Sequence, residues 1–230
     1  MKIKVATLFP EMFDSLRVGI LGKAIDAGLL ELEVVNIRDF SEDKHKKCDD
    51  YPFGGGAGML MMVQPIHKTI EFLDEQHECK RIYLSPKGVT LNQQRVEALA
   101  KEPNLLFLCG SYEGVDQRVI DNDIDEEYSI GDYVLTGGEL PAMVIINAVA
   151  RYVDGVLGSE QATDEESFSD GLLEYPQYTR PQNYLGMEVP AVLLSGNHQE
   201  VDKWRKNKQI EITEKYRPDL LEKKNGKRCN

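Results

Sequence analysis

Short apolar runs that alternate with helix-period segments constrain this chain more than any other feature. Ile3 to Leu8, Leu32 to Ile37, Arg81 to Ser85 and Leu105 to Cys109 read as strands, and the intervals between them carry apolar residues at helical spacing. Parallel strands need long crossover connections, usually helices, so this alternation predicts an α/β domain with a parallel sheet and helices on both sides. Local signals agree. Gly28 ends a helix begun near Glu11 or Gly19, and Pro65 suits the first turn of a helix carrying Ile66, Ile70 and Leu73. Thr90 and Gln93 read as a capping box before Val96 and Leu99. Glu139 to Tyr152 has Pro141 near its start and apolar residues on nearly all sides, which predicts a buried helix.

Downstream of that helix the pattern changes. Asp154 to Asp170 is rich in Gly, Ser, Asp and Glu and reads as a linker, after which helices and turns follow, with an Asn197-x-x-Glu200 cap before Val201 and Trp204. The expected organisation is an α/β domain over 1–158, a mobile interdomain linker over 159–170 and a small, mainly helical C-terminal domain over 171–230. A chain of 230 residues can bury a proper core in this arrangement. Its longest apolar stretches, Met59 to Val63 and Ala142 to Ala150, fall well short of the roughly 18 to 20 residues of a membrane span. Met1 to Pro10 alternates like a strand and is too short an apolar run for a secretory leader. Cys48, Cys79, Cys109 and Cys229 lie far apart with no C-x-x-C pair, which excludes a zinc ribbon or disulfide framework and points to a reducing cytoplasm.

The formal net charge of −12 argues against a nucleic-acid partner, but the average hides an asymmetry. From Glu113 to Glu174 sixteen acids face two bases, Arg118 and Arg151, whereas from Val201 to Asn230 ten bases face five acids. The C-terminal strip is either a solvated helical face or a surface for an anionic partner.

Three clusters can carry chemistry. Gly54-Gly55-Gly56-Ala57-Gly58 lacks the Gly-Lys-Ser/Thr of a phosphate loop, and Met59 stands where a dinucleotide fingerprint needs its third glycine. What remains is a loop that either lets backbone approach a ligand or merely turns, and the nearby His45 reads as an exposed side chain. Leu105 to Asp116 is a buried-strand pattern that ends in Gly110-Ser111-Tyr112-Glu113-Gly114, which places Glu113 beyond a strand's carboxyl end, where α/β sheets bind ligands. Ser129 to Glu139 frames a short apolar segment between glycine turns. Each cluster alone reads as a turn; together they favour a small-molecule pocket.

These residues resemble a known family. Phe9 to Phe13, Pro52 to Met59, Tyr112 to Asp116, Ser129 to Pro141, Gly155 to Gly158, Tyr178 to Pro181 and Leu193 to His198 are similar to blocks of the bacterial tRNA (guanine-N1)-methyltransferases, in the same order, from Ile3 to about Arg205. The resemblance implies an α/β fold with a deep trefoil knot, in the knotted SPOUT-type methyltransferase superfamily, and a homodimer with shared active sites. It implies transfer of a methyl group from S-adenosylmethionine to N1 of guanosine 37, just 3′ of the anticodon. The donor pocket it implies comprises Tyr83, Leu84, Ser85, Pro86, Gly110, Ile130, Tyr133, Leu135, Gly137 and Gly138. Magnesium is a family expectation; Asp121, Asp123, Asp125, Glu126 and Glu127 could attract it, but closely spaced acids more often form a solvated turn, and no ligands are assigned.

Guanine N1 carries a proton that must leave as the nitrogen attacks, and charge then develops on O6, so the chemistry needs a base and a cation. The resemblance implies a linker Asp as the base, Arg151 as the cation and Glu113 as a holder of the guanine. Two positions depart from the family pattern. Where the family has Asp before Ser-Phe, this chain has Glu166, with Asp164 and Glu165 as alternatives, and Ser111 stands where many members have Arg. Lys203, Arg205, Lys206, Lys208, Lys215 and Arg217 become a tRNA surface for the anticodon stem-loop. The rival readings are a knotted methyltransferase acting elsewhere on RNA, for example on a 2′-hydroxyl, and a non-catalytic RNA-binding relative.

Overall fold

In the computed structural model, which describes residues 1–158, 163 and 165–224, the chain divides into two compact units, Met1–Glu160 and Gln161–Asn230. The first begins with β1 (Lys2–Thr7), a 3-10 segment (Pro10–Arg17), α1 (Gly19–Asp26) and β2 (Glu31–Asn36). Two short strands, β3 (Asp49–Asp50) and β4 (Leu60–Met61), pair antiparallel and precede α2 (Val63–Asp74). Then come β5 (Lys80–Thr90), α3 (Gln93–Leu99), β6 (Asn104–Leu108), α4 (Gln117–Asp123), β7 (Glu126–Ser129) and α5 (Glu139–Ala150). The second unit holds a hairpin of β8 (Asn183–Tyr184) and β9 (Met187–Glu188), followed by α6 (His198–Tyr216) and α7 (Pro218–Lys224).

The main sheet is wholly parallel in the order β2-β1-β6-β5-β7. Its centre is buried on both faces, which explains the near-continuous apolar runs of its strands. Leu105 and Phe107 of β6 pack with Val5, Ile145 and Val149 into one core, while Leu106 and Leu108 face the other way and pack with Ala6, Ile66, Ile70 and Val119. Helices α1, α3 and α5 therefore cover one face, and α2 and α4 the other.

Several expectations need correction. The strand expected over Arg81 to Ser85 runs on to Thr90, with a break in register between Leu84 and Val89. Glu126–Ser129, read as part of an acidic turn, is an edge strand; Lys80 pairs with Glu126 at 2.7 Å and so makes the charge compatible with pairing. The cap of α3 is Asn92, whose side chain accepts the Arg95 amide at 3.0 Å, because Thr90 is still strand. Helix α5 is not buried all round: Leu140 and Val144 are about half exposed on one side. Other signals hold. Pro65 lies in the first turn of α2, Gly28 follows α1 at φ +73°, and Asn197 caps α6.

In the second unit, Leu172 and Thr213 are the buried members among the described residues, joined where the Leu173 amide donates to Thr213 Oγ1 at 2.9 Å. Of the expected linker, 159–162 and Asp164 lie outside the described residues, as does Cys229. Cys48, Cys79 and Cys109 are buried and unbridged. Among the described residues no helix is long and apolar enough to cross a membrane.

Candidate active site

The carboxyl ends of β5, β6 and β7 open onto one cavity of about 370 Å³. Three turns build it. Beyond β6 the chain turns at Gly110 and Ser111, passes Tyr112 at φ +60° and Gly114 at φ +124°, and closes with a Gly114 amide bond to the Ser111 carbonyl at 3.1 Å. Gly110 has no room for a side chain, since a Cβ there would sit 2.9 Å from the Tyr83 hydroxyl. Burial pushes the Tyr83 phenol up to about 12, so it is a neutral hydroxyl at physiological pH.

The second turn is the stretch that leaves the β5 ladder, Ser85 to Gly88, pinned where the Lys87 amide donates to Ser85 Oγ at 3.0 Å. The third follows β7, where Gly131 at φ +153° lies so close beneath the Tyr133 ring that a Cβ would approach it to 2.5 Å. It returns to the end of β6: Gly137 bridges Ser111, and the Gly138 amide donates to the Gly110 carbonyl at 2.8 Å.

The glycine-rich stretch before β4 has a definite job here. Gly58 at φ +81° lies against Glu113, where a Cβ would come within 2.5 Å of its Cγ, and the Glu113 amide donates to the Met59 carbonyl at 3.0 Å. It supports the carboxylate rather than cradling a phosphate.

A family model described as tRNA (Guanine-1)-methyltransferase TrmD matches residues 1–223. The chain belongs to this family. It is a family of S-adenosylmethionine-dependent enzymes. A tRNA (guanine-N(1)-)-methyltransferase of Alkaliphilus metalliredigens is 56% identical over 226 residues, covering 96% of this chain and 92% of the relative. Proteins of the same name from Clostridium botulinum and Clostridioides difficile are 55% and 49% identical, the latter over 99% of this chain and 100% of its own length.

In this family member the cavity gathers Tyr83, Leu84, Ser85, Pro86, Gly110, Ile130, Tyr133, Leu135, Gly137 and Gly138 in one place, with Glu113 at the same wall. Thr136, from the Ser129 to Glu139 cluster, and Glu127, from the acidic cluster, also line it, as does Lys87, which no motif singled out. Ser111 is buried beside them, and its Oγ has no hydrogen-bond partner. Behind Gly137 stands a further residue that sequence patterns treated as a helix start: Glu139, buried and bonded to Thr7.

Arg151 and Glu166 are not part of the cavity wall. Arg151 is the C-cap of α5, whose first turn adjoins the cavity, so the helix sets it about 18 Å from Glu139. Glu166 is half-buried in the second unit, its carbonyl accepting the Ser169 hydroxyl at 2.8 Å. The neighbouring Glu165 already receives the Tyr175 hydroxyl at 2.9 Å and lies 3.8 Å from Arg205. Asp164, the other alternative, lies outside the described residues.

The acidic cluster is partnered rather than open. Asp123 meets His67 at 3.0 Å, Asp125 meets His77 at 3.0 Å and also accepts the Arg81 amide, and Asp121 accepts from Gln117 at 2.8 Å. Among the described residues no three His, Cys, Asp or Glu side chains are arranged to hold a metal. The basic helix is likewise paired: Lys206 with Asp170 at 2.7 Å, Lys208 with Glu211 at 2.6 Å, and Arg205 with Glu165 and Asp202.

Proposed function

We propose that this chain transfers the methyl group of S-adenosylmethionine to N1 of guanosine 37 in tRNA. The observation that carries this is the single cavity that gathers ten donor-site candidates and Glu113 at the carboxyl ends of three parallel strands. The residues present suit such a donor. The volume falls in the range of small-molecule sites, and Pro86, Ile130 and Leu135 give apolar cover for an adenine. Glycines at 110, 137 and 138, where a Cβ would strike neighbouring atoms, let bare backbone form the walls. When bound, S-adenosylmethionine supplies a sulfonium-activated methyl group and leaves as a neutral thioether.

The chain's own residues then hold and deprotonate the guanine. Glu113, on the same wall, accepts from its N–H edge. Glu166 takes the N1 proton as the nitrogen's electron pair forms the new bond to carbon. Arg151 faces O6, where charge accumulates. Glu166 is favoured over Glu165 because it stands directly before Ser167-Phe168, where the family has its Asp.

The position of Arg151 at the far end of α5 supports a homodimer in which each site is completed by a second copy. The exposed Leu140 and Val144 of α5, with exposed Met12 on the 3-10 segment that packs against α5, give an apolar face for that association. A trefoil knot is supported by the way the segment after β7 packs back onto Cys109 and Gly110. The second unit serves as the tRNA-binding domain for the anticodon stem-loop. Its surface ion pairs are individually weak, so phosphates can displace the carboxylates from Lys206 and Lys208. The reaction belongs in the cytoplasm, where tRNA is matured.

The test incubates purified protein with labelled S-adenosylmethionine and tRNA transcripts carrying guanosine or adenosine at position 37, with and without magnesium, and maps the product by digestion and mass spectrometry. N1-methylguanosine at that one position, lost with the adenosine transcript, is the expected result. Glu166→Gln keeps donor binding and loses turnover by about 10²-fold or more, the usual scale of general-base catalysis. Label on a ribose, or a near-normal single-turnover rate in Glu166→Gln, would sink the reading.

A further inference from the structure

Glu139 is a buried acid with a specific setting. It opens α5 and is only 3% exposed, and its carboxylate accepts a 2.7 Å hydrogen bond from the Thr7 hydroxyl. Thr7 is fully buried at the end of β1, and its Oγ1 also accepts the Phe9 amide at 3.0 Å, so its one proton is committed to Glu139. The other carboxylate oxygen lies against Gly137, where a Cβ would come to 2.4 Å. Gly137 lines the cavity, so the acid stands directly behind the cavity wall.

Burying an acid this completely is costly unless something compensates. Here the compensation is one hydroxyl together with the first turn of α5, where free amides and the helix dipole favour negative charge. The neighbouring Cys109 thiol is pushed well up, first by its own burial and then by the charge of Glu139.

We propose that Glu139 is a positioning residue whose charge makes the cavity prefer a cationic ligand, so that it holds S-adenosylmethionine over its neutral product, S-adenosylhomocysteine. The inference rests on the donor reading of the cavity given above. The two compounds share every group except the sulfonium methyl, so shape and hydrogen bonding nearly cancel between them and charge remains. Glu113 and Glu127 also line the cavity but are more open to water, which screens them, whereas a buried charge keeps its field.

The test is calorimetric titration of the wild type, Glu139→Gln, Glu139→Asp and Thr7→Val with each compound. Glu139→Gln keeps the size and an acceptor for Thr7 but removes the charge, so its ratio of S-adenosylmethionine to S-adenosylhomocysteine affinity falls about tenfold, with the product's affinity little changed. Glu139→Asp keeps the ratio. Thr7→Val strips the carboxylate of the donor that fixes it behind Gly137 and shifts the ratio in the same direction as Glu139→Gln; it decides the matter if the Gln protein does not fold. Equal losses for both compounds, or an unmoved ratio in a folded Glu139→Gln or Thr7→Val protein, overturn the inference while leaving the donor site intact. If the wild type binds neither compound, the donor reading itself fails and this inference falls with it.

Discussion

Gly138→Ala tests the way the cavity is closed. The native backbone there, φ −83° and ψ −7°, suits alanine, so any effect comes from space alone. The added methyl would sit 2.8 Å from Cys109 Cα and 2.9 Å from the Gly110 amide nitrogen, and both neighbours are backbone with no rotamer to yield. Carbon contacts settle at about 3.5–4.0 Å, so the two segments must part by roughly 1 Å. That separation strains the 2.8 Å bond from the Gly138 amide to the Gly110 carbonyl. Overpacking costs about 1–3 kcal/mol and a lost hydrogen bond about 1 kcal/mol, so about 2–4 kcal/mol of stability goes. At about 2–4 °C per kcal/mol for a chain of this size, the melting temperature drops by about 4–16 °C. Gly158→Ala is the control, because nothing lies within 4 Å of its added methyl. Circular dichroism is the readout of choice; the single tryptophan, Trp204, lies in α6 of the other unit and reports on that unit instead. S-adenosylmethionine affinity is measured on both proteins. A Gly138→Ala protein that melts with Gly158→Ala and binds donor like wild type would refute the packing argument.

The remaining predictions concern charge. Asp74 and Arg81 form a buried pair at 2.7 Å with side chains 2% and 9% exposed, so Asp74→Asn strands a buried guanidinium and costs about 3–5 kcal/mol in urea unfolding. Burial raises the Asp74 carboxyl, but the bond and charge of Arg81, the Glu78 amide and the Cys79 side chain outweigh it and hold the group below its ordinary value. Its contribution is therefore complete above the unfolded value near 3.8 and fades as pH falls through the lower folded value; a wild-type advantage over Asp74→Asn that does not shrink on acidification contradicts this. In the second unit, Lys206→Ala should weaken tRNA binding and lower the slope of log affinity against log salt by about 1, without changing donor affinity. An unchanged slope would remove Lys206 from the RNA surface.

What the sequence made legible follows from how each feature is encoded. Strands β1 and β6 carry apolar runs because the middle of a parallel sheet is covered on both faces, and the glycine turns beyond β6 stand out because side chains there would collide. Strand β7 was hidden because an edge strand tolerates acids; Glu126 is balanced across the ladder by Lys80, a pairing no local pattern encodes. The Ser85 to Gly88 departure from β5 was hidden for a similar reason, since a break in register is a relation between two strands. Glu139 was visible as a letter, but a first-turn acid is the commonest of helix signals, and only its burial against Thr7 and Gly137 distinguishes it from a surface cap.

Helix α5 carries the consequence furthest. One helix begins at the cavity wall and ends at Arg151, so its length fixes a separation of about 18 Å between the charge behind the wall and the cation at its C-cap. Under the proposed homodimer, that length is what carries Arg151 from one copy's cavity towards the site of a second copy. The half-exposed Leu140 and Val144 that break the expected all-round burial lie on the same rod, and under that proposal they are the apolar side it offers to a second copy.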